Sequence, residues 1–399
     1  MKILVINSGS SSIKFELFNM PSRAVEASGA LQRIGEAQSE LGYRVGQTKR
    51  TVKKPVADHE QGLKLIVEAL TDSDHGGLAD ISDIGAVGHR VVHGGEAFSE
   101  PALITDEVER VIEENFGLAP LHNPPNLQGI KVARQLLPDV PQVAVFDTAF
   151  HQSIPDYAYL YPLPYELYEQ HRVRRYGFHG TSHRFVAARA AELLNRPEDQ
   201  VNLITCHLGN GCSITAVRKG RSVDTSMGLT PLEGLVMGTR CGDIDPAIVA
   251  YLERVTGKSV AEIDKLLNKK SGLLGVSGLS NDMRSLLEAE AAGDVRAALA
   301  IAIYCYRLRK YIGAYTAALG EVDAVVFTAG VGENSASVRE RTLATMRPLG
   351  YRMDSAKNEQ ASGEALDVSE DDSPVRVLVI PTDEELLIAL DTYEIASAS

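Results

Sequence analysis

The chain opens MKILVINSGSSSIKF. An apolar run, Ile3 to Ile6, stops at Asn7. It passes through Ser8, Gly9, Ser10, Ser11 and Ser12, then resumes with Ile13 and Phe15. A strand, a short polar turn without bulky side chains and a returning strand predict a β-hairpin. Gly and Ser let backbone N–H groups approach an anion closely, and hydroxyls such as that of Ser12 add donors. Lys14 follows in the returning strand. The pattern is that of a phosphate-handling hairpin. It is not a Walker loop, because GxxxxGK[ST] is absent.

The hairpin recurs. Residues 203–217 read LITCHLGNGCSITAV, with Gly209 standing where Gly9 stands and a one-residue slip before the second strand. A third strand running into a glycine turn is DAVVFTAGVGENS, at 323–335. Two similar hairpins so far apart predict a duplicated domain with a nucleotide held between the halves, although strand–glycine turns are common to α/β proteins in general.

With 399 residues the chain is long enough for two domains. A net charge of −13 argues against nucleic acid or an anionic membrane as partner. An anionic substrate would then need a local basic pocket. The four cysteines, Cys206, Cys212, Cys241 and Cys305, have neither CxxC nor Cys/His zinc spacing and read as reduced thiols of a cytoplasmic protein. No apolar run approaches membrane-spanning length, and the N-terminus enters the strand without a signal-peptide core.

Helical periodicity marks residues 62–70 and 104–116. The long segment 297–319 is apolar on more than one side and predicts a central helix. The last element is a strand, RVLVIP, followed by a helix, which predicts that the chain returns to its first domain. The expected division is 1–150 plus 381–399, and 151–380.

Four segments carry candidate chemistry. GHRVVHGG places Arg90 after a strand and beside glycines; its histidines, His89 and His93, read as structural. APLHNPPN places His122 in a Pro/Asn-rich stretch that resists a helix. RRYGFHGTSHRF places Phe178 and His179 between glycines, and the glycine after His179 weakens the helix that an HxxxH zinc pair with His183 would need. GLTPLEGLVMGTRCGDIDP places Arg240 and Asp243 in a glycine-rich loop that is not expected to be mostly core. Arginine suits planar, multidentate contact with phosphate or carboxylate. GKS at 257–259 lacks the first P-loop glycine and reads as a helix-end turn. GVGENS has Ser335 where a dinucleotide fingerprint needs glycine.

Together these segments resemble the acetate kinases. NSGSSSIK, HRVVHGG, PLHNPPN, FDTAFH, YGFHGTSH, HLGNG, DTSMG, TPLEG, MGTR, AGVGEN and TDEE occur in that family's order along the whole chain. The resemblance implies an α/β fold of duplicated actin-like (ribonuclease H-like) domains around a nucleotide cleft. It also implies a phosphotransferase catalysing ATP + acetate to ADP + acetyl phosphate reversibly, with Mg²⁺ (Mn²⁺ as a substitute) and a homodimer. Propionate kinase shares these motifs, and actin- or chaperone-like nucleotide switches share the fold.

Residue by residue, the resemblance implies Asn7 and Glu384 at the magnesium site, and Arg90 and Arg240 gripping the carboxylate and the transferring phosphoryl group. It implies His179 as a hydrogen-bond donor to the transition state, His122 as a further active-site residue and Asp147 as an essential acid. Val92, Leu121, Phe178 and Pro231 resemble the pocket for the acetate methyl. Nucleotide contacts fall to Ser12 and Lys14 of the hairpin, to His207, Leu208, Gly209, Asn210 and Gly211, to Asp282, Met283 and Arg284, and to Gly330, Val331, Gly332, Glu333 and Asn334. Met283 stands in place of an aromatic residue, Cys212 in place of a small residue and Cys241 in place of serine. In TDEE, Thr382 is the expected N-cap and Glu385 the third position of a capping box, which leaves Glu384 for the metal.

Overall fold

A computed structural model describes residues 1–398. They form two compact units: Met1–Gln152 with the chain from Asp383 onward, and Ser153–Thr382.

In the first unit, β1 (Lys2–Ser8), β2 (Ser12–Asn19), β3 (Ala24–Gln32), β4 (Ser39–Val45) and β5 (Thr48–Lys54) form an antiparallel meander, and β6 (Ile84–Val91), β7 (Ala102–Leu103) and β8 (Gln142–Phe146) complete the sheet. The order is β5-β4-β3-β2-β1-β6-β8-β7, with β1, β6 and β8 mutually parallel. Strand β1 is apolar from Ile3 to Ile6 because both its faces are covered there. Leu4 and Ile6 pack with Ile13, Phe15 and the helices His59–Leu70 and Asn123–Leu136. Ile3 and Val5 pack with Phe18, Ala86, Val143, Val145 and the Glu384–Ala398 helix. That helix sits close to β6 because Gly88 has no side chain. A Cβ there would lie 2.4 Å from Thr392 Oγ1 and 2.8 Å from Ile388 Cγ2.

In the second unit, β9 (Asn202–Leu208), β10 (Cys212–Arg218), β11 (Arg221–Thr225), β12 (Ala324–Thr328), β13 (Leu366–Asp367) and β14 (Arg376–Val379) run in the order β11-β10-β9-β12-β14-β13. This repeats β3-β2-β1-β6-β8-β7, including the antiparallel hairpin and the three parallel strands. The fold is α/β with duplicated actin-like domains. The slip between the hairpins lies in the turn: Ser8 pairs with Ile13, but Leu208 pairs with Cys212. Asn7–Lys14 and His207–Ser213 therefore take the same ladder position.

The Gly180–Leu193 helix covers one face of the second sheet, and the Val295–Leu319 helix covers the other. The latter is less central than its composition suggests. It buries one stripe, including Ala297, Ile301, Tyr304, Leu308 and Ile312, and leaves Leu299 and Tyr306 exposed. Among the described residues no helix is long and apolar enough to cross a membrane.

Candidate active site

In the first unit the site grows out of strand alternation. Residues two apart share a face. Continuing the face of Ile3 and Val5, of Ala86 and Gly88, and of Val143 and Val145 to the strand ends gives Asn7, Arg90 and Asp147. The three strands are parallel and so finish at one edge, where Glu384 begins the helix covering that face. An apolar core thus becomes a polar cluster at the carboxyl ends of the strands, where open α/β sheets bind ligands.

Arg90 Nε and Nη2 donate to the two carboxylate oxygens of Asp147 at 3.1 and 2.5 Å, a bidentate fork, and Nη1 donates to Asn7 Oδ1 at 3.3 Å. Burial works against the Arg90 charge, but Asp147 and Glu384 outweigh it and raise its pKa. Glu384 is pushed up to about 7, first by burial and then by repulsion from Asp147, against the attraction of Arg90. Glu16, on the same side of β2 as Lys14, is also pushed up to about 7, by burial and then by Glu385 and Asp383. Among the described residues no group of three His, Cys, Asp or Glu side chains could hold a metal ion by itself. Magnesium keeps several waters and takes few protein oxygens. The Asn7 carbonyl and the Glu384 carboxylate are oxygens of that kind, and a dication would relieve the surplus negative charge around Glu384. The donor set fits.

The C-terminal helix is capped one residue later than TDEE suggested. Asp383 Oδ1 accepts the Leu386 N–H at 2.8 Å, so Asp383 is the N-cap and Glu385 falls at the second helical position. Thr and Asp both make good N-caps. Here the Thr382 hydroxyl bonds the Ser182 hydroxyl at 2.8 Å and its N–H donates to Glu333, which leaves the cap to Asp383. Glu385 therefore has no capping-box role.

PLHNPPN also differs from expectation. The Asn123–Leu136 helix begins straight after half-buried His122, with both prolines in its first turn, where an N–H is not needed. Its two asparagines, which the sequence reading passed over, hold the chain beyond Arg90. Asn126 Oδ1 accepts from Val92 N–H, and Asn123 Oδ1 accepts from His93 N–H while its Nδ2 donates back to the His93 carbonyl. An Asn pair spaced by three on a helix was the available signal. Asn126 Nδ2 also donates to Ser8 O, and Gly9 O bonds His59 Nε2, which fixes the hairpin turn. Ser12 is half-buried and Lys14 exposed. Val92 is buried, whereas Leu121 is 65% exposed. His89 is buried against Gln142 and its pKa is lowered to about 4 by burial, in keeping with a structural role.

In the second unit, His179 precedes the Gly180–Leu193 helix with φ 56°, and Gly180 starts the helix without disrupting it. His183 lies inside that helix, fully buried. His179 Nδ1 bonds Ser213 Oγ at 2.9 Å, and its ring stacks on His207 at 4.2 Å. His207 Nδ1 bonds Ser182 Oγ at 2.8 Å. Phe178 is buried. Part of the glycine-rich loop is core after all: Leu235, Val236 and Met237 are buried. The loop is closed by Asp243, whose Oδ1 accepts from Gly234 N–H at 2.7 Å and whose Oδ2 accepts from Tyr311 OH at 2.7 Å. Arg240 rides on it. Its Nη1 donates to the Pro231 carbonyl at 3.2 Å, and it makes no ion pair with any described residue. Burial lowers its pKa. A half-buried guanidinium without a carboxylate partner keeps the capacity to meet an anion.

The predicted nucleotide residues separate into two kinds. The Gly209–Gly211 turn is bound to its surroundings through Asn210, which accepts from Asn281 Nδ2 at its side chain and from Gly238 N–H at its carbonyl. The Ala329–Asn334 segment is a short helix leaving β12, with open space at Gly330. Its Glu333 accepts from Thr328 and Thr382, and buried Arg339 donates to the Gly332 and Glu333 carbonyls. Asp282 is the N-cap of the Met283–Ala291 helix and pairs with Arg284, so both have structural partners, and Met283 is buried.

Residues 2–390 match the acetokinase family. The chain belongs to that family. It is 56% identical over 398 residues to an acetate kinase of Pseudothermotoga lettingae, covering 100% of this chain and 98% of that one. Its structure is similar to that of Porphyromonas gingivalis acetate kinase, at 47% identity, TM-score 0.96 and 99% coverage of both chains. It is also similar to a propionate kinase from Francisella tularensis, at 43% identity and TM-score 0.91, covering 98% of this chain and 99% of that one. Members of the acetokinase family thus share both halves of this architecture.

Proposed function

We propose that this protein is an acetate kinase that transfers the γ-phosphoryl group of ATP to acetate, reversibly and directly. The observation that carries the reading is the match to the family along essentially the whole chain. In the reaction a carboxylate oxygen of acetate forms a bond to the γ-phosphorus as the bond to the ADP oxygen breaks. Acetate is already ionised at neutral pH, so no base is required, and catalysis rests on positioning and charge neutralisation.

Arg240, with no ion-pair partner of its own, is suited to the transferring phosphoryl group. Arg90, held in orientation by Asp147, is suited to the acetate carboxylate. His179 donates a hydrogen bond to the phosphoryl oxygens, and His122 also serves the active site. Asn7 and Glu384 hold magnesium (manganese can substitute), whose chemistry is to neutralise phosphate charge. Val92 and Leu121 in the first unit, and Phe178 and Pro231 in the second, are each suited to meet the acetate methyl, and the turn at 209–211 with the 330–334 helix takes the nucleotide. The protein acts in the cytoplasm as a homodimer; exposed Ile248, Tyr251, Val255 and Val260 supply an apolar face for self-association.

Hydroxylamine added to enzyme, ATP, Mg²⁺ and acetate should give acetyl hydroxamate. Absence of product from folded enzyme overturns the reading. The same assay with propionate should give less product: one methylene is worth about 1–3 kcal/mol in an apolar pocket. A preference for propionate would make the enzyme a propionate kinase.

A further inference from the structure

We infer that Thr205, His183 and Ser213 form a directional hydrogen-bond chain that keeps the His179 proton on Nε2, which makes Ser213 and His183 positioning residues for phosphoryl transfer. The inference rests on the acetate kinase reading for its chemistry and on the second unit alone for its geometry.

Thr205 on β9 and Ser213 on β10 lie on the face covered by the Gly180–Leu193 helix; the ladder pairs His207 with Ser213 and Thr205 with Thr215. His183 is four residues past His179 and falls on the same side of that helix. His183 Nδ1 lies 2.7 Å from Thr205 Oγ1, and its Nε2 lies 2.7 Å from Ser213 Oγ. On the other side of that hydroxyl stands His179 Nδ1, at 2.9 Å. Thr205, His183 and Ser213 have no solvent exposure.

A hydroxyl has one proton to donate, so the two histidines cannot both present a bare nitrogen to Ser213. Phosphoryl oxygens only accept, so His179 must offer an N–H from Nε2. A neutral His179 then has a bare Nδ1, which Ser213 must satisfy with its single proton. Ser213 in turn accepts from His183 Nε2–H, and the bare His183 Nδ1 accepts from the Thr205 hydroxyl. Every member of the chain is satisfied in this direction, whereas the reverse would make buried Thr205 an acceptor from His183 and leave its hydroxyl proton with no acceptor among the described residues. His179 stacks on His207, and both it and Arg240 flank Gly211: a Cβ built there would lie 3.3 Å from Arg240 Nη1 and 3.5 Å from His179 Cε1.

The test is a long-range ¹H–¹⁵N correlation spectrum of full-length enzyme labelled with ¹⁵N-histidine, with His179 and His183 assigned through His179→Gln and His183→Gln. The wild type should show both rings protonated at Nε2. Ser213→Ala should leave His179 without a single tautomer and lower kcat by about 10–100-fold, with much smaller changes in KM for ATP and acetate. Ser213→Thr, which keeps the hydroxyl, should recover most of kcat. An Nδ1–H tautomer of His179 in the wild type, or unchanged kcat in Ser213→Ala, overturns the inference. Should Ser213→Ala fail to fold, the wild-type spectrum and the His183 tautomer in Thr205→Val decide the matter. Failure of the kinase reading itself is separate: the wild type would then make no acetyl hydroxamate, whatever its tautomers.

Discussion

Replacing Glu16 by Gln should stabilise the protein at pH 8 and do little at pH 5. Glu16 sits on β2 beside the start of the C-terminal helix, where burial, Glu385 and Asp383 raise its pKa from 4.5 to about 7. At 1.36 kcal/mol per pKa unit, the shift corresponds to about 3 kcal/mol. Partial exposure of the side chain screens this to roughly 1–3 kcal/mol. The folded-state pKa is above the unfolded one, so the folded protein binds more protons between them. Stability is fully present below pH 4.5, falls as pH rises through about 7, and is flat beyond. Glutamine keeps the shape and never ionises, so the variant lacks this slope. Urea unfolding followed by circular dichroism at pH 5, 6, 7 and 8, wild type against Glu16→Gln, reads the difference directly. A variant with the same pH response as the wild type, or one less stable at pH 8, would refute the argument that the carboxylate is crowded by acids.

Other expectations concern the site and its supports. Asp383→Ala should cost about 0.5–2 kcal/mol of stability as a lost N-cap, whereas Glu385→Ala should not, as thermal melts will show. Arg240→Ala should lower kcat by about 10²–10⁴ without loss of stability, because no described carboxylate is orphaned, and Arg240→Lys should rescue poorly for want of the planar fork. Arg90→Ala should lower both kcat and melting temperature, since it removes the bidentate ion-pair partner of buried Asp147; equal melts for the two alanine variants would contradict this contrast. Gly238→Ala places a Cβ 2.2 Å from Asn210 Oδ1, and initial rates should show a raised KM for ATP with acetate kinetics less affected.

Much of this architecture is legible in the residues themselves. The turn in NSGSSSIK and its echo in HLGNGCS show two hairpins, and the alternation that makes Ile3 and Val5 core also carries Asn7, Arg90 and Asp147 to one edge. What escapes is decided by tertiary partners. The prolines after His122 look like helix breakers, but a first turn tolerates them. Thr382 looks like a cap until Ser182 takes its hydroxyl. Leu235 to Met237 lie in a glycine-rich stretch whose burial depends on the Asp243–Tyr311 contact, 68 residues apart along the chain. Ser213 closes HLGNGCS, but nothing local puts it beside His179; that takes the β9–β10 register together with the packing of the Gly180–Leu193 helix on that face.

The Glu384–Ala398 helix also gives the chain a timetable. It covers the face made by Ile3, Val5, Phe18, Ala86, Val143 and Val145, yet it is synthesised after the whole Ser153–Thr382 unit. At about 5–20 residues per second, a ribosome needs roughly 10–50 s to make that intervening unit. For all of that time the first sheet is wound but bare on one side. The second unit, continuous in sequence, can mature meanwhile. The first is therefore the later of the two to finish, and nascent chains stalled before Glu384 should be cut by protease in the first unit and spared in the second.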